Sequence, residues 1–188
     1  MKIGFLGLGK LGLPCALAIE SKGHTIYGYD INPNVIQDVY AKKLRYKEKW
    51  ADELLNKSEI NLTSIKELVK NSEIIFVPIQ TPHQKEYEGI TRLPKERVDF
   101  DYTYLKAGIK ELADVIETNG QSKIVVIIST VLPGTIRKEI KPLLNEFVKL
   151  CYNPYFIAMG TCIPDFLFNE INLLGVDDYN AADTVKKF

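Results

Sequence analysis

The feature that most constrains this chain sits close to its start. Gly7-Leu8-Gly9-Lys10-Leu11-Gly12 is a G-x-G-x-x-G run between a strand pattern over residues 2–6 and a helical pattern over residues 11–22. Alone, such a run fits many turns; as the hinge between a strand and a helix it reads as a dinucleotide-phosphate cradle. Gly7 permits the tight turn. Gly9 has no Cβ, so the backbone can approach a pyrophosphate. Gly12 lets the helix pack closely on the strand. Backbone N–H groups over Lys10 and Leu11, with the helix dipole, favour the anion. Asp30 follows a second strand over residues 24–29. An acidic residue there accepts hydrogen bonds from the adenosine ribose and repels a 2′-phosphate. No Arg or Lys occurs among Ile31, Asn32, Pro33, Asn34 and Val35, so the expected cofactor is NAD rather than NADP.

The rest of the chain alternates apolar runs with helical patterns. EIIFVPI over residues 73–79 and KIVVIIS over 123–129 are nearly continuous and β-branched, as in strands buried on both faces of a parallel sheet. Leu105, Ile109, Leu112, Ala113 and Ile116 share one helical face and predict a helix over 101–118. Asn32-Pro33 caps a helix to about residue 41. A short helix is expected within 42–57. Ser64 and Glu67 form a capping box for a helix over 65–70. A helix over 134–147 is expected to bend near Pro142. Strands over 60–62, 148–152 and 173–176 and a helix over 178–188 complete the order. The expected fold is α/β: a Rossmann-like, doubly wound, mainly parallel sheet with helices on both faces. Residues 81–100 have no period; they read as a solvated surface excursion, or as a flap near a ligand or a neighbouring subunit.

Composition narrows the partners. The 188 residues fit one domain, with 46% apolar residues for its core. Lys plus Arg number 24 and Asp plus Glu 24, which leaves no overall electrostatic footprint for nucleic acid or an anionic membrane. Three cysteines do not make a disulfide framework. No apolar run has the ~18 residues of a membrane span, and the opening residues lead directly into a core strand. A soluble, cytoplasmic protein is expected. His24 and His83 form no ligand cluster, so no metal site is expected.

Further segments follow in order: Val77-Pro78-Ile79-Gln80-Thr81-Pro82; Ser129-Thr130-Val131-Leu132-Pro133-Gly134-Thr135; and Asn153-Pro154-Tyr155-Phe156-Ile157-Ala158-Met159-Gly160, then Asp165-Phe166. Thr81-Pro82 and Ser129-Thr130 end core strands, at the sheet edge where open α/β folds bind ligands. Each also fits a plainer role: a proline-stabilised turn for Thr81-Pro82, a helix cap for Ser129 or Thr130, and a turn for Asn153-Pro154. With the glycine run, these segments resemble the UDP-glucose/GDP-mannose dehydrogenase family, whose members oxidise the C6 alcohol of a nucleotide sugar to a carboxylate with two NAD⁺. The resemblance covers nearly the whole chain. It implies an NAD-binding domain over 1–188, with the family's middle helical and C-terminal substrate domains outside this chain, and polysaccharide biosynthesis as the setting.

By the same resemblance Thr81, Pro82, Ser129 and Thr130 contact the cofactor. Thr130 faces the reacting centre as the candidate catalytic residue, and Asn153, Tyr155 and Phe156 lie on the substrate side. A nucleotide sugar is the implied partner, and a homo-oligomer is admitted. The sequence departs from the family where Tyr155 and Met159 replace two glutamates and where Val35 replaces a common basic residue. Tyrosine, with a pKa of ~10, is a poor general base at neutral pH. The family's catalytic Cys has no match among Cys15, Cys151 and Cys162, so the chain alone is expected not to turn over. Two other readings stay open: the cofactor domain of a 3-hydroxyacid or 6-phosphogluconate-type dehydrogenase, and an NAD-binding module without catalysis.

Overall fold

Successive residues of the central apolar runs face opposite sides of a sheet, and each side is closed by its own core. In the computed structural model, which describes residues 1–187, the strands are β1 (Lys2–Leu6), β2 (Thr25–Tyr29), β3 (Asn61–Leu62), β4 (Ile74–Val77), β5 (Lys123–Ile127), β6 (Val148–Tyr152) and β7 (Gly175–Val176). They form one seven-stranded sheet in the order β3-β2-β1-β4-β5-β6-β7. Every pairing is parallel except β6–β7. The helices are α1 (Gly12–Glu20), α2 (Pro33–Tyr40), α3 (Ala51–Lys57), α4 (Ile65–Asn71), α5 (Thr103–Asn119), α6 (Cys162–Leu167) and α7 (Tyr179–Lys187).

On β4, Ile74 and Phe76 join the core under α1, α3, α6 and α7, while Ile75 and Val77 join the core under α4 and α5. On β5, Val126 takes the first side and Val125 and Ile127 the second. Phe5 of β1 stacks on Phe76 across the strand pair at 5.3 Å. Both faces are therefore covered, as the unbroken apolar strands require.

Most expected elements form, with shifted ends. Asn32 caps α2, its Oδ1 accepting from Asn34 N at 3.0 Å, and Pro33 opens the helix. Ser64 Oγ accepts from Glu67 N at 3.3 Å, but the Glu67 carboxylate turns to Asn71 Nδ2 and Lys70. The expected capping box is thus half made. The helix expected over 134–147 is replaced by a π-helical turn (Ile136–Ile140) and a 3₁₀ turn (Lys141–Leu143). Pro142 offers no N–H to continue the ladder. Leu144 is extended, and Asn145 Nδ2 donates to Ala113 O of α5 at 2.7 Å. Cys162 opens α6, a short helix absent from the expected order; Asp165 steadies that turn by accepting from Ala158 N (3.0 Å) and Thr161 Oγ1 (2.8 Å). The last strand is shorter than expected. Phe188, to which the final helix was expected to run, lies outside the described residues.

Candidate functional site

The glycine turn is the first piece of the site. Gly7 has φ +123°, a conformation that favours glycine, and its N–H donates to Tyr29 O at 2.7 Å, tying β1 to the end of β2. At Gly12 a Cβ would lie 2.2 Å from Gly7 O and 2.8 Å from Pro78 Cγ, so α1 approaches the strand as only glycine allows. At Gly9 a Cβ would meet nothing within 4 Å. Gly9 and Lys10 are exposed and Leu11 is half-buried, so the turn opens outward at the N-terminus of α1. Within α1, Leu13 N donates to Gly9 O at 3.0 Å, Cys15 N donates to Leu11 O at 3.2 Å and Pro14 has no N–H, so the part of the turn with room for an anion is the side-chain-free backbone at Gly9, before the helix.

Asp30 stands at the end of β2 beside this turn. Its Oδ2 accepts from Leu8 N and its Oδ1 from Asn32 N, both at 2.8 Å. The carboxylate is fixed by two backbone donors and remains half-exposed. A carboxylate has about four acceptor positions, so the two backbone bonds leave Asp30 with acceptor capacity.

The next two strands across the sheet complete the edge. Thr81 and Pro82 follow β4, and Ser129 and Thr130 follow β5. The order β2-β1-β4-β5 places all these ends side by side, and the winding reverses between β1 and β4, where open α/β sheets take their ligands. Thr81 Oγ1 donates to Thr130 O at 2.6 Å, so the two turns are joined. Ser129 is buried and its Oγ donates to Val77 O at 3.1 Å; it holds the turn to β4 rather than capping a helix. Thr130 is exposed at the open edge of this turn.

The 153–160 segment is used differently. Asn153 is 2% exposed, and its Nδ2 donates to Asn172 Oδ1 (2.8 Å) and Leu173 O (2.7 Å). Tyr155 packs edge-on to Phe166 at 5.0 Å, and burial, with the Cys15 thiol beside it, pushes its hydroxyl well above the ordinary tyrosine range. Phe156, at 65% exposed, and Met159 face outward. All three cysteines are buried. Burial pushes Cys151 up to about 11 and Cys162, which also faces the Glu48 carboxylate, up to about 12. Cys15 is raised well above its usual value by burial first, then by the neighbouring Cys162 thiol and the Glu48 carboxylate. None is a ready thiolate at neutral pH.

Two residues of this region escaped the sequence reading. Glu48 is buried and its Oε2 accepts from Gly160 N at 2.9 Å, while Lys49 N donates to Gly160 O at 3.0 Å. Tyr102 reaches the turn after β5 from the start of α5. Neither belongs to a local pattern; both partners are distant in sequence. Among the described residues no group of three or more His, Cys, Asp or Glu could hold a metal ion, and no helix is long and apolar enough to cross a membrane.

Comparison with known proteins agrees with this geometry. A family model described as "UDP-glucose/GDP-mannose dehydrogenase family, NAD binding domain" matches residues 1–188. The chain is 26% identical to GDP-mannose 6-dehydrogenase of Pseudomonas aeruginosa over 100% of its own length and 43% of that protein. It is 28% identical to UDP-N-acetyl-D-mannosamine dehydrogenase of Pyrococcus horikoshii, covering 100% of this chain and 44% of that one. Among solved structures, a ternary complex of the P. aeruginosa GDP-mannose dehydrogenase superposes with a TM-score of 0.87 at 26% identity, over 100% of this chain and 43% of that one. The chain thus spans less than half the length of these relatives.

Proposed function

The chain belongs to the UDP-glucose/GDP-mannose dehydrogenase family as its NAD-binding domain, and from that premise we propose that it serves an enzyme oxidising the C6 alcohol of a UDP- or GDP-sugar to the carboxylate with two NAD⁺. The observation that carries the reading is the joined edge: the open Gly9 cradle, the fixed Asp30 carboxylate and the exposed Thr130 on a turn tied to Thr81. NAD⁺ supplies the hydride acceptor. Asp30 holds the ribose end, the Gly7–Gly12 turn holds the pyrophosphate, and Thr81, Pro82 and Ser129 shape the wall that leads to Thr130. The Thr130 hydroxyl donates to, or accepts from, a substrate hydroxyl or water there. A hydroxyl has no useful base at neutral pH, so the proton released with each hydride needs another acceptor.

In the first oxidation the alcohol loses a hydride and a proton to give the aldehyde. In the second, a thiolate adds to the aldehyde, a second hydride leaves to give a thioester, and water releases the carboxylate. The buried, protonated cysteines here do not fit that nucleophile. We assign the thiolate, and the substrate-side walls beyond Asn153, Tyr155 and Phe156, to the middle and C-terminal domains that the longer relatives suggest, and residues 1–188 to the cofactor domain. The chain alone is therefore inactive, its partner a nucleotide sugar rather than nucleic acid or membrane, its location cytoplasmic.

Calorimetric titration with NADH and NADPH tests the cofactor end: NADH binds more tightly, and Asp30→Ala weakens it by about 1.5–3 kcal/mol. Tighter NADPH binding overturns it. Mixing the purified 188-residue chain with NAD⁺ and UDP- or GDP-sugars should give no growth of NADH absorbance. Turnover lost on Cys151→Ser or Cys162→Ser would overturn the assignment of the thiolate elsewhere.

A further inference from the structure

The turn that carries Thr130 is held from behind and from in front. Behind, Ser129 Oγ and Ile128 N both reach Val77 O of β4, at 3.1 and 3.2 Å. In front, the hydroxyl of Tyr102 accepts from Leu132 N and from Thr135 Oγ1, each at 3.2 Å, and donates to the Asp99 carboxylate. Tyr102 is 7% exposed and Thr135 5% exposed, so these bonds are shielded from water. We propose that Tyr102 is a positioning residue: its hydroxyl, anchored on Asp99, sets the Thr130 turn at the nicotinamide end of the cofactor. This rests on the placement of Thr130 proposed above.

A tyrosine hydroxyl has one proton and two acceptor lone pairs. Asp99 as a carboxylate can only accept, so it takes the proton. Both lone pairs then face the turn, and Thr135 must donate. The three bonds have one consistent direction, and a phenylalanine would leave none of them. Burial first, and the Asp99 acceptor second, raise the pKa of Tyr102 above its ordinary value. The hydroxyl keeps its proton at neutral pH, which suits an anchor and not an acid or base.

The bonds also close a ring around the edge of the sheet. Thr81 Oγ1 reaches Thr130 O at 2.6 Å, and Pro82 O accepts from Asp101 N at 2.8 Å. Tyr102 is the next residue and returns to Leu132 and Thr135. The turns after β4 and β5 are thus locked to each other and to the start of α5. The excursion after Thr81, mostly exposed and crossed by a bond from Tyr87 Oη to Glu96 O at 2.7 Å, ends by delivering Asp99 to this ring.

The test separates the two ends of the cofactor. ADP-ribose carries the adenosine and pyrophosphate but no nicotinamide. Affinities for NADH and ADP-ribose are measured by calorimetry on the purified protein and on Tyr102→Phe, Asp99→Ala and Asp99→Asn, with thermal melting as the control for folding. The expected result is ADP-ribose affinity unchanged throughout. The preference for NADH over ADP-ribose falls roughly three- to tenfold in Tyr102→Phe and Asp99→Ala, as for a lost hydrogen bond. It returns in Asp99→Asn, whose amide oxygen still accepts. A wild-type protein that binds both ligands equally removes the nicotinamide from the Thr130 turn, and both readings fall. A wild-type preference that folded Tyr102→Phe retains overturns the positioning role alone. If Tyr102→Phe does not fold, the Asp99 pair decides: equal preferences in Asp99→Ala and Asp99→Asn overturn the proposal, and loss with rescue supports it.

Discussion

The glycine turn and the 153–160 segment both carry recognisable motifs, yet they use their residues in opposite ways. In the turn the functional surface is backbone. Gly7 supplies the left-handed φ, Gly9 the open approach and Gly12 the close packing, and Asp30 is fixed by two main-chain N–H groups. In the later segment the side chains of Asn153 and Tyr155 are taken up inside the fold, against Asn172, Leu173 and Phe166, and Phe156 and Met159 are left outside. Where backbone makes the site, spacing alone states the geometry. Where side chains make it, the motif names the residues but the tertiary contacts decide what they do.

The sharpest break in this comparison is Gly12→Ala. A Cβ at 2.2 Å from a backbone oxygen cannot be relieved by a side-chain rotation. The expected cost exceeds about 3 kcal/mol, the upper end for overpacking, read from urea unfolding. Stability close to wild type would mean that the turn can open away from α1. Gly9→Val separates fold from function instead. Its Cβ meets nothing in the protein, so unfolding is unchanged while NADH affinity drops on the order of a hundredfold, about 2.7 kcal/mol. Undiminished binding in the folded variant would place the phosphates elsewhere.

Legibility follows the same division. β6 spans the predicted residues, and α5 and the cap of α2 lie within a residue or two of expectation, because each is signalled by its own window. Residues 134–147 misled the pattern: the apolar period continued past Pro142, but the backbone did not, and Asn145 turned to α5 instead. The short helix α6 has too few residues to show a period and is steadied by Asp165 at its start. Glu48 with Gly160, and Tyr102 with Leu132 and Thr135, are pairs joined only by the folded chain. No spacing rule reaches them.

On the other side of the comparison, Asn153→Ala should cost stability and leave the cofactor alone. The amide bonds across to the irregular segment before β7, and its loss leaves Leu173 O and Asn172 to rearrange near the surface. About 1–2 kcal/mol is expected in urea unfolding, with NADH affinity unchanged. A fall in NADH affinity as large as that of Gly9→Val would show that the two regions are one unit.

The smallest effect is expected at Tyr155, where a half-buried ring packed against the core stands in place of a carboxylate. Tyr155→Phe keeps the edge-on contact with Phe166 and the volume in the core, so stability at pH 7 changes by less than about 1 kcal/mol. The pH dependence carries the information. Burial first, then the neighbouring Cys15 thiol, raise the folded pKa well above the ordinary value of 10. An unfolded tyrosine ionises near that ordinary value, so above it the unfolded chain binds fewer protons than the folded one. Tyr155 therefore stabilises fully below about pH 10 and loses that contribution as pH rises toward its folded pKa. Phenylalanine has no such loss. Urea unfolding followed from pH 7 to 11 should show the two proteins starting together and the wild type falling more steeply at the alkaline end. Parallel curves would mean that the Tyr155 hydroxyl reaches water. It would then stand free on the substrate side, and the contrast with the glycine turn would fail at that residue.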